Sequence, residues 1–135
     1  MRKQIRDAAL AAIENLASLT TALIGRRHKL SADQLPAAVI YTDSEVSERI
    51  NLTGLKNTVE LKIRLDVKPG GIDLGEDTTD EILAELDAAV IPAVADIDGV
   101  FDVVQDSIEV AGDGETDADY LQTTRTYMVV YHSAA

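Results

Sequence analysis

The stretch AGDGETDADY, residues 111–120, carries carboxylates at alternating positions: Asp113, Glu115, Asp117 and Asp119. Clustered carboxylates are the ligand type that a hard divalent cation takes. A calcium loop of the helix–loop–helix kind also needs a Gly at its sixth position and a bidentate Glu at its twelfth. Counted from Asp113, those positions hold Ala118 and Thr124. The stretch therefore reads as a hydrated hairpin tip, with weak divalent-cation binding that relieves like-charge repulsion, and no tight metal or cofactor is expected. A second acidic set comprises Asp77, Asp80, Glu81, Glu85 and Asp87. Glu81 and Glu85 are four apart, which places them on one face of a helix, as paired catalytic or metal carboxylates would be. No His stands at E-x-x-H spacing beside them, so a solvated helix face accounts for them. The cations Arg26, Arg27 and Lys29 flank His28. They suit a phosphate or a neighbour's carboxylates, or simply the solvated end of a helix. Neither His28 nor His132 has a Ser or acid at triad spacing. There is no G-x-G-x-x-G, phosphate loop or nucleophile elbow. No catalytic residue is expected on this reading.

The totals narrow the classes further. A chain of 135 residues is expected to form one domain, 1–135, large enough for a stable core. It contains no Cys, so disulfides, thiolate zinc sites and cysteine nucleophiles are excluded. Aromatic residues make up 4% with no Trp, which argues against a base-stacking platform. The start, MRKQIRDAAL, has the basic-then-apolar order of a signal peptide, but Asp7 and Glu14 interrupt it in a helical pattern. No apolar run approaches a membrane span, so no membrane partner is expected and a cytoplasmic setting is the default. The formal net charge of −12 argues against a sequence-reading nucleic-acid binder. Its distribution is uneven. Most of the 24 acidic residues lie between Asp73 and Asp119, and no Lys or Arg occurs between Lys68 and Arg125. Residues 1–35 instead carry Arg2, Lys3, Arg6, Arg26, Arg27 and Lys29 against Asp7, Glu14 and Asp33. Such asymmetry suits two faces that meet between chains, or intramolecular pairing beneath a solvated acidic surface.

The elements that position these residues follow from periodicity. Ile5, Ala9, Ala12, Ile13, Leu16, Leu19 and Leu23 recur at helical spacing, predicting a helix over residues 3–24 with Gly25 as its stop. LPAAVIYTDSE (35–45) predicts a short strand over 38–43, apolar and covered on both faces. SERINLTGLKN (47–57) reads as a loop. TVELKIRLDV (58–67) alternates cleanly and predicts a strand with one core face. A second helix is predicted from Thr78, with Glu81 at capping-box spacing, ended or kinked near Ile91 by Pro92, with a further turn to about Asp96. Val104, Ile108 and Val110 suggest one face of a strand over 103–111. TTRTYMVVYH (123–132) predicts a strand apolar on both faces. The sum is an α+β fold: an antiparallel-rich sheet of about four strands with two main helices packed on one face. The apolar second face of the last strand then needs cover, and a second copy of the chain is the simplest candidate.

In order and spacing, LPAAVIYTDSE, TVELKIRLDV, ILAELDAAVIPAVADI and TTRTYMVVYH resemble the tail terminator proteins of lambda-like phages, the minor tail protein U family. The resemblance runs from the first helix to the last strand. Its most specific pieces are Leu35-Pro36, the IPAVADI end of the second helix, and Thr126-Tyr127…Tyr131. It implies a non-enzymatic structural virion protein of the tail, assembled in the host cytoplasm. Family members form a homo-hexameric ring that caps the tail tube protein, ends its polymerisation and offers the surface on which a head-completion or connector protein docks. DNA passes through without sequence recognition. Beside it, the charge pattern suggests that Arg26, Arg27 and Lys29 meet Asp80 and Glu81, or Asp113, Glu115 and Asp117, of the next subunit. The rival readings are another neck or tail-completion protein of the same fold, a divalent-metal-dependent hydrolase using the acidic helix and loop, and a small monomeric adaptor.

Overall fold

The computed structural model describes residues 1–25, 30, 32–67, 74–111 and 121–134. Its elements are α1 (Arg2–Ile13), β1 (Thr21–Ile24), a 3-10 turn (Ala32–Gln34), β2 (Ala37–Arg49), β3 (Gly54–Val67), α2 (Leu74–Ala95), β4 (Val100–Ala111) and β5 (Leu121–Ala134). The strands form one sheet in the order β1-β2-β3-β5-β4. Only β1 and β2 run parallel. Both helices lie on one face, so the α+β expectation holds, with a fifth strand added.

The alternation read in residues 58–67 sets the core. Val59, Leu61, Ile63 and Leu65 are fully buried beneath the helices, and β3 is the middle strand of the sheet. They meet Ile5, Ala9 and Ile13 of α1, Ile82, Leu83, Leu86, Val90 and Val94 of α2, and Tyr127 and Val129 of β5. Each such aliphatic chain contributes roughly 1.5–3 kcal/mol by leaving water. Ala37, Ala38, Val39 and Ile40 are all buried, as their two-faced apolar pattern predicts.

Several boundaries differ from the sequence reading, each for a physical reason. α1 stops at Ile13 rather than at residue 24. Leu16 and Leu19 still reach the core, because tight turns (Leu16 N–H to Ile13 O, 3.1 Å; Leu19 N–H to Leu16 O, 3.1 Å) have nearly the same three-residue spacing as a helix. Thr21–Ile24 then pairs with β2 as an edge strand. Gly25 therefore ends a strand, not a helix: its φ is 136° and its N–H donates to Ile40 O at 2.8 Å. Residues 47–57 form the paired far end of the β2–β3 hairpin rather than a loop. Beyond Asp43 that hairpin is exposed along β2, so no apolar alternation marks it. α2, by contrast, passes through Pro92 to Ala95, in line with the further turn expected to about Asp96. Pro92 and Ala88, whose carbonyl it leaves without a helical donor, are both exposed.

Two kinds of bulge decide which face a side chain reaches. The register of β2 slips between Thr42 and Glu45, which turns Glu45 to the helix side. In β4, extra residues at Phe101 and Asp106 do the same. Val104 is thus opposite Met128 on the open face, while Ile108 and Val110 lie opposite Arg125 and Thr123 on the helix face. The single period-two face expected for these three residues is not formed.

Candidate functional site

The charge asymmetry of the sequence becomes a spatial one through strand order. α1, with Arg2, Lys3 and Arg6, contacts β1, β2 and β3, whereas α2 contacts β3, β4 and β5. Neither α2 nor β4 contains a Lys or Arg. One flank of the molecule is therefore mixed with a basic excess on its helix, and the other is acidic. Asp80 and Glu81 are exposed on α2, and neither has an ion-pair partner among the described residues. Arg26, Arg27 and Lys29, like Asp113, Glu115 and Asp117, lie outside the described residues.

Not every acid of α2 is a surface charge. Asp87 turns inward and accepts a two-pronged contact from Arg125: Nε to Oδ1 at 3.0 Å and Nη2 to Oδ2 at 2.6 Å. The Tyr127 hydroxyl donates to the same Oδ1 at 2.6 Å. Burial, then Asp87, holds the Tyr127 phenol well above its ordinary pKa. A sequence reading that assigned Asp87 to a solvated face missed this contact. The signal available was Arg125, the first cation after the long acidic stretch, two residues from Tyr127 on the same strand face. Glu85 stays exposed and accepts a hydrogen bond from Ser18.

The face away from the helices carries a ladder of polar pairs. Lys62 Nζ lies 3.3 Å from Asp43, and Arg64 Nε lies 3.1 Å from Asp66 Oδ1. Burial opposes the Lys62 charge, but Asp43 and Glu60 outweigh it and raise its pKa. Burial pushes the Asp66 carboxyl upward, and Arg64 only partly reverses that. Met128 and Val130 are half-buried among these groups. This face is thus not the broad apolar surface expected from the last strand alone.

At one end of the sheet, Tyr131 donates its hydroxyl to Glu45, which the β2 bulge brought to the helix side. Burial and that bond push the Tyr131 phenol from 10.0 to about 12. The folded chain holds this proton more tightly than the unfolded chain does. The resulting stabilisation is complete below pH 10 and is lost as pH rises through about 12. Urea unfolding between pH 10 and 12 is expected to show a smaller alkaline loss for Tyr131→Phe than for the unaltered protein.

Apart from Val104, in the middle of β4, the large apolar side chains that remain exposed fall at opposite ends of the strands. Val46, Ile50, Leu52 and Phe101 are at the end bearing the β2–β3 hairpin, with Leu52 at 86% exposure. Ile108 and Val110 are at the other end, 47% and 61% exposed. These two line a groove of about 130 Å³ between β4, the start of β5 and α2, together with Asp80, Leu83, Leu121 and Thr123. The Thr123 hydroxyl oxygen is buried there with no hydrogen-bond partner among the described residues.

No group of three or more His, Asp or Glu side chains that could hold a metal occurs among the described residues. His132 is exposed and stacks against Phe101, with ring centroids 4.9 Å apart. Among the described residues no helix is long and apolar enough to cross a membrane.

No protein-family model matches the chain, and neither does any curated protein. Solved structures do. The chain is similar to one in the virion of a native gene transfer agent particle, with a TM-score of 0.64 over 95% of this chain and 94% of that chain. The two are 13% identical, so what they share is the fold.

Proposed function

We propose that the protein is a structural component of a phage or phage-like virion, acting by assembly rather than by catalysis. The observation that carries this reading is the near-complete overlap, 95% against 94%, with a chain of a virion particle. Within that class we assign it the role of a tail terminator: a homo-hexameric ring that caps the tail tube, ends its polymerisation and presents the head-joining surface. The partners on this reading are the tail tube protein, a head-completion or connector protein, and DNA that passes through unread.

Charge segregation supports a head-to-tail ring. In such a ring one surface of each subunit meets a different surface of the next. A basic flank and an acidic flank at opposite edges of one sheet suit that contact, and they disfavour a two-fold dimer through either edge. In the sequence, Arg26, Arg27 and Lys29 follow β1. Acids not used between subunits would face the channel, where like charge keeps DNA from adhering within a Debye length of about 8 Å.

Native mass spectrometry at rising protein concentration tests the proposal. A discrete six-fold species is expected, weakened in the Arg26→Glu/Arg27→Glu variant and arresting elongation when added to growing tubes. A monomer at every concentration, with no effect on tubes, would remove the ring. Stoichiometric Mg²⁺ or Ca²⁺ uptake in calorimetry, abolished by Asp113→Ala or Asp117→Ala, would favour the hydrolase instead.

A further inference from the structure

We infer that the β2–β3 hairpin tip of one subunit seats in the groove between α2 and β4 of the next, with Leu52 as the inserted side chain. The inference rests on the ring reading but names the contact. Leu52 is the most exposed large apolar residue among those described, and Ile50 beside it is 49% exposed. A projecting, solvent-facing Leu on a hairpin tip gains little from its own fold. The groove is the matching feature. Ile108 and Val110 leave apolar surface open on its wall, and its volume of about 130 Å³ is near that of cavities, about 150 Å³, that admit a benzene-sized molecule.

The two features cannot meet within one chain. β3 begins at the hairpin and ends beside the groove-lining start of β5, because Gly54 pairs with Ala134 and Val67 with Leu121. At about 3.3 Å per residue, the strand separates them by roughly 40 Å. The contact is therefore between copies and uses two different surfaces, which is the head-to-tail geometry that closes a ring.

Charge selects this occupant. Arg49 adjoins the tip and Lys56 follows it on the returning strand, opposite Glu48, so the hairpin end carries a net charge of +1; neither cation has an ion-pair partner among the described residues. Asp80 on the groove wall, with Asp77 and Glu81 beside it on α2, is exposed and likewise lacks one. The seated tip brings the two sets together.

The chain has no Cys, so introduced pairs report without background. Leu52→Cys and Val110→Cys variants, mixed and mildly oxidised, are expected to form a mixed disulfide dimer, while each alone forms little. The double variant should give a ladder ending at the ring size. Arg49→Glu should weaken self-association at least tenfold in sedimentation equilibrium, and Asp80→Lys added to it should restore association. Rings that form without the mixed disulfide would overturn this contact and leave the ring standing. A ladder without a closed six-fold species would uphold the contact and overturn the hexamer. A Leu52-to-Leu52 disulfide, or monomers with no cross-link, would also overturn it.

Discussion

Asp87→Ala is expected to cost about 3–5 kcal/mol of unfolding free energy, the range for stripping one partner from a buried ion pair. The Asp87 and Arg125 side chains are 16% and 13% exposed, so little water would replace the lost contact. The substitution strands two donors at once: the Arg125 guanidinium, and the hydroxyl of Tyr127, which is wholly inside the core. At this chain length the loss corresponds to a fall in Tm of roughly 10 °C or more. Tyr127→Phe removes only one hydrogen bond, to a charged acceptor, and should cost about 1.5–3 kcal/mol. The two losses should not add, because Asp87 Oδ1 serves both partners. A denaturation series giving Asp87→Ala within about 0.5 kcal/mol of the parent, the range of an ordinary surface change, would show that the pair contributes nothing.

Leu61→Ala is the second large effect. Leu61 is fully buried in the middle strand, opposite Tyr127 on one side and Thr42 on the other. Its loss should cost about 2–5 kcal/mol, the span reflecting how far the site collapses around the void. Leu52→Ala, the same chemical change at an exposed tip, should stay within about 0.5 kcal/mol in the monomer. If the tip is a contact, that variant weakens self-association while its urea midpoint stays put. Equal destabilisation by the two substitutions would mean the tip is packed in the monomer itself.

The contrast between these residues also marks what could be read in advance. Strict alternation over residues 58–67 settled a strand with one core face, because a period of two admits no other regular arrangement. The four-residue apolar run at residues 37–40 settled burial on both sides. The helical stripe of Ile82, Leu83, Leu86 and Val90 settled the inner face of α2. The uneven run of acids and bases raised the expectation of segregated charge, and the absence of Cys excluded disulfides, thiolate zinc sites and cysteine nucleophiles.

Bulges and strand order were not legible, and they assign the rest. A single extra residue in β2 or β4 reverses the face of everything after it, and no local pattern announces it. For this reason Glu45 meets Tyr131, and Val104 parts from Ile108. Equally, Asp87 looks in sequence like its exposed neighbours Glu81 and Glu85. Only the packing of α2 over β5 brings it to Arg125, 38 residues away in the chain. The placement of the hairpin tip and the groove at opposite ends of the sheet is of the same kind. Composition fixed how much charge and apolar surface the chain carries. Long-range pairing decided which of it is spent inside the fold and which is left to meet another molecule.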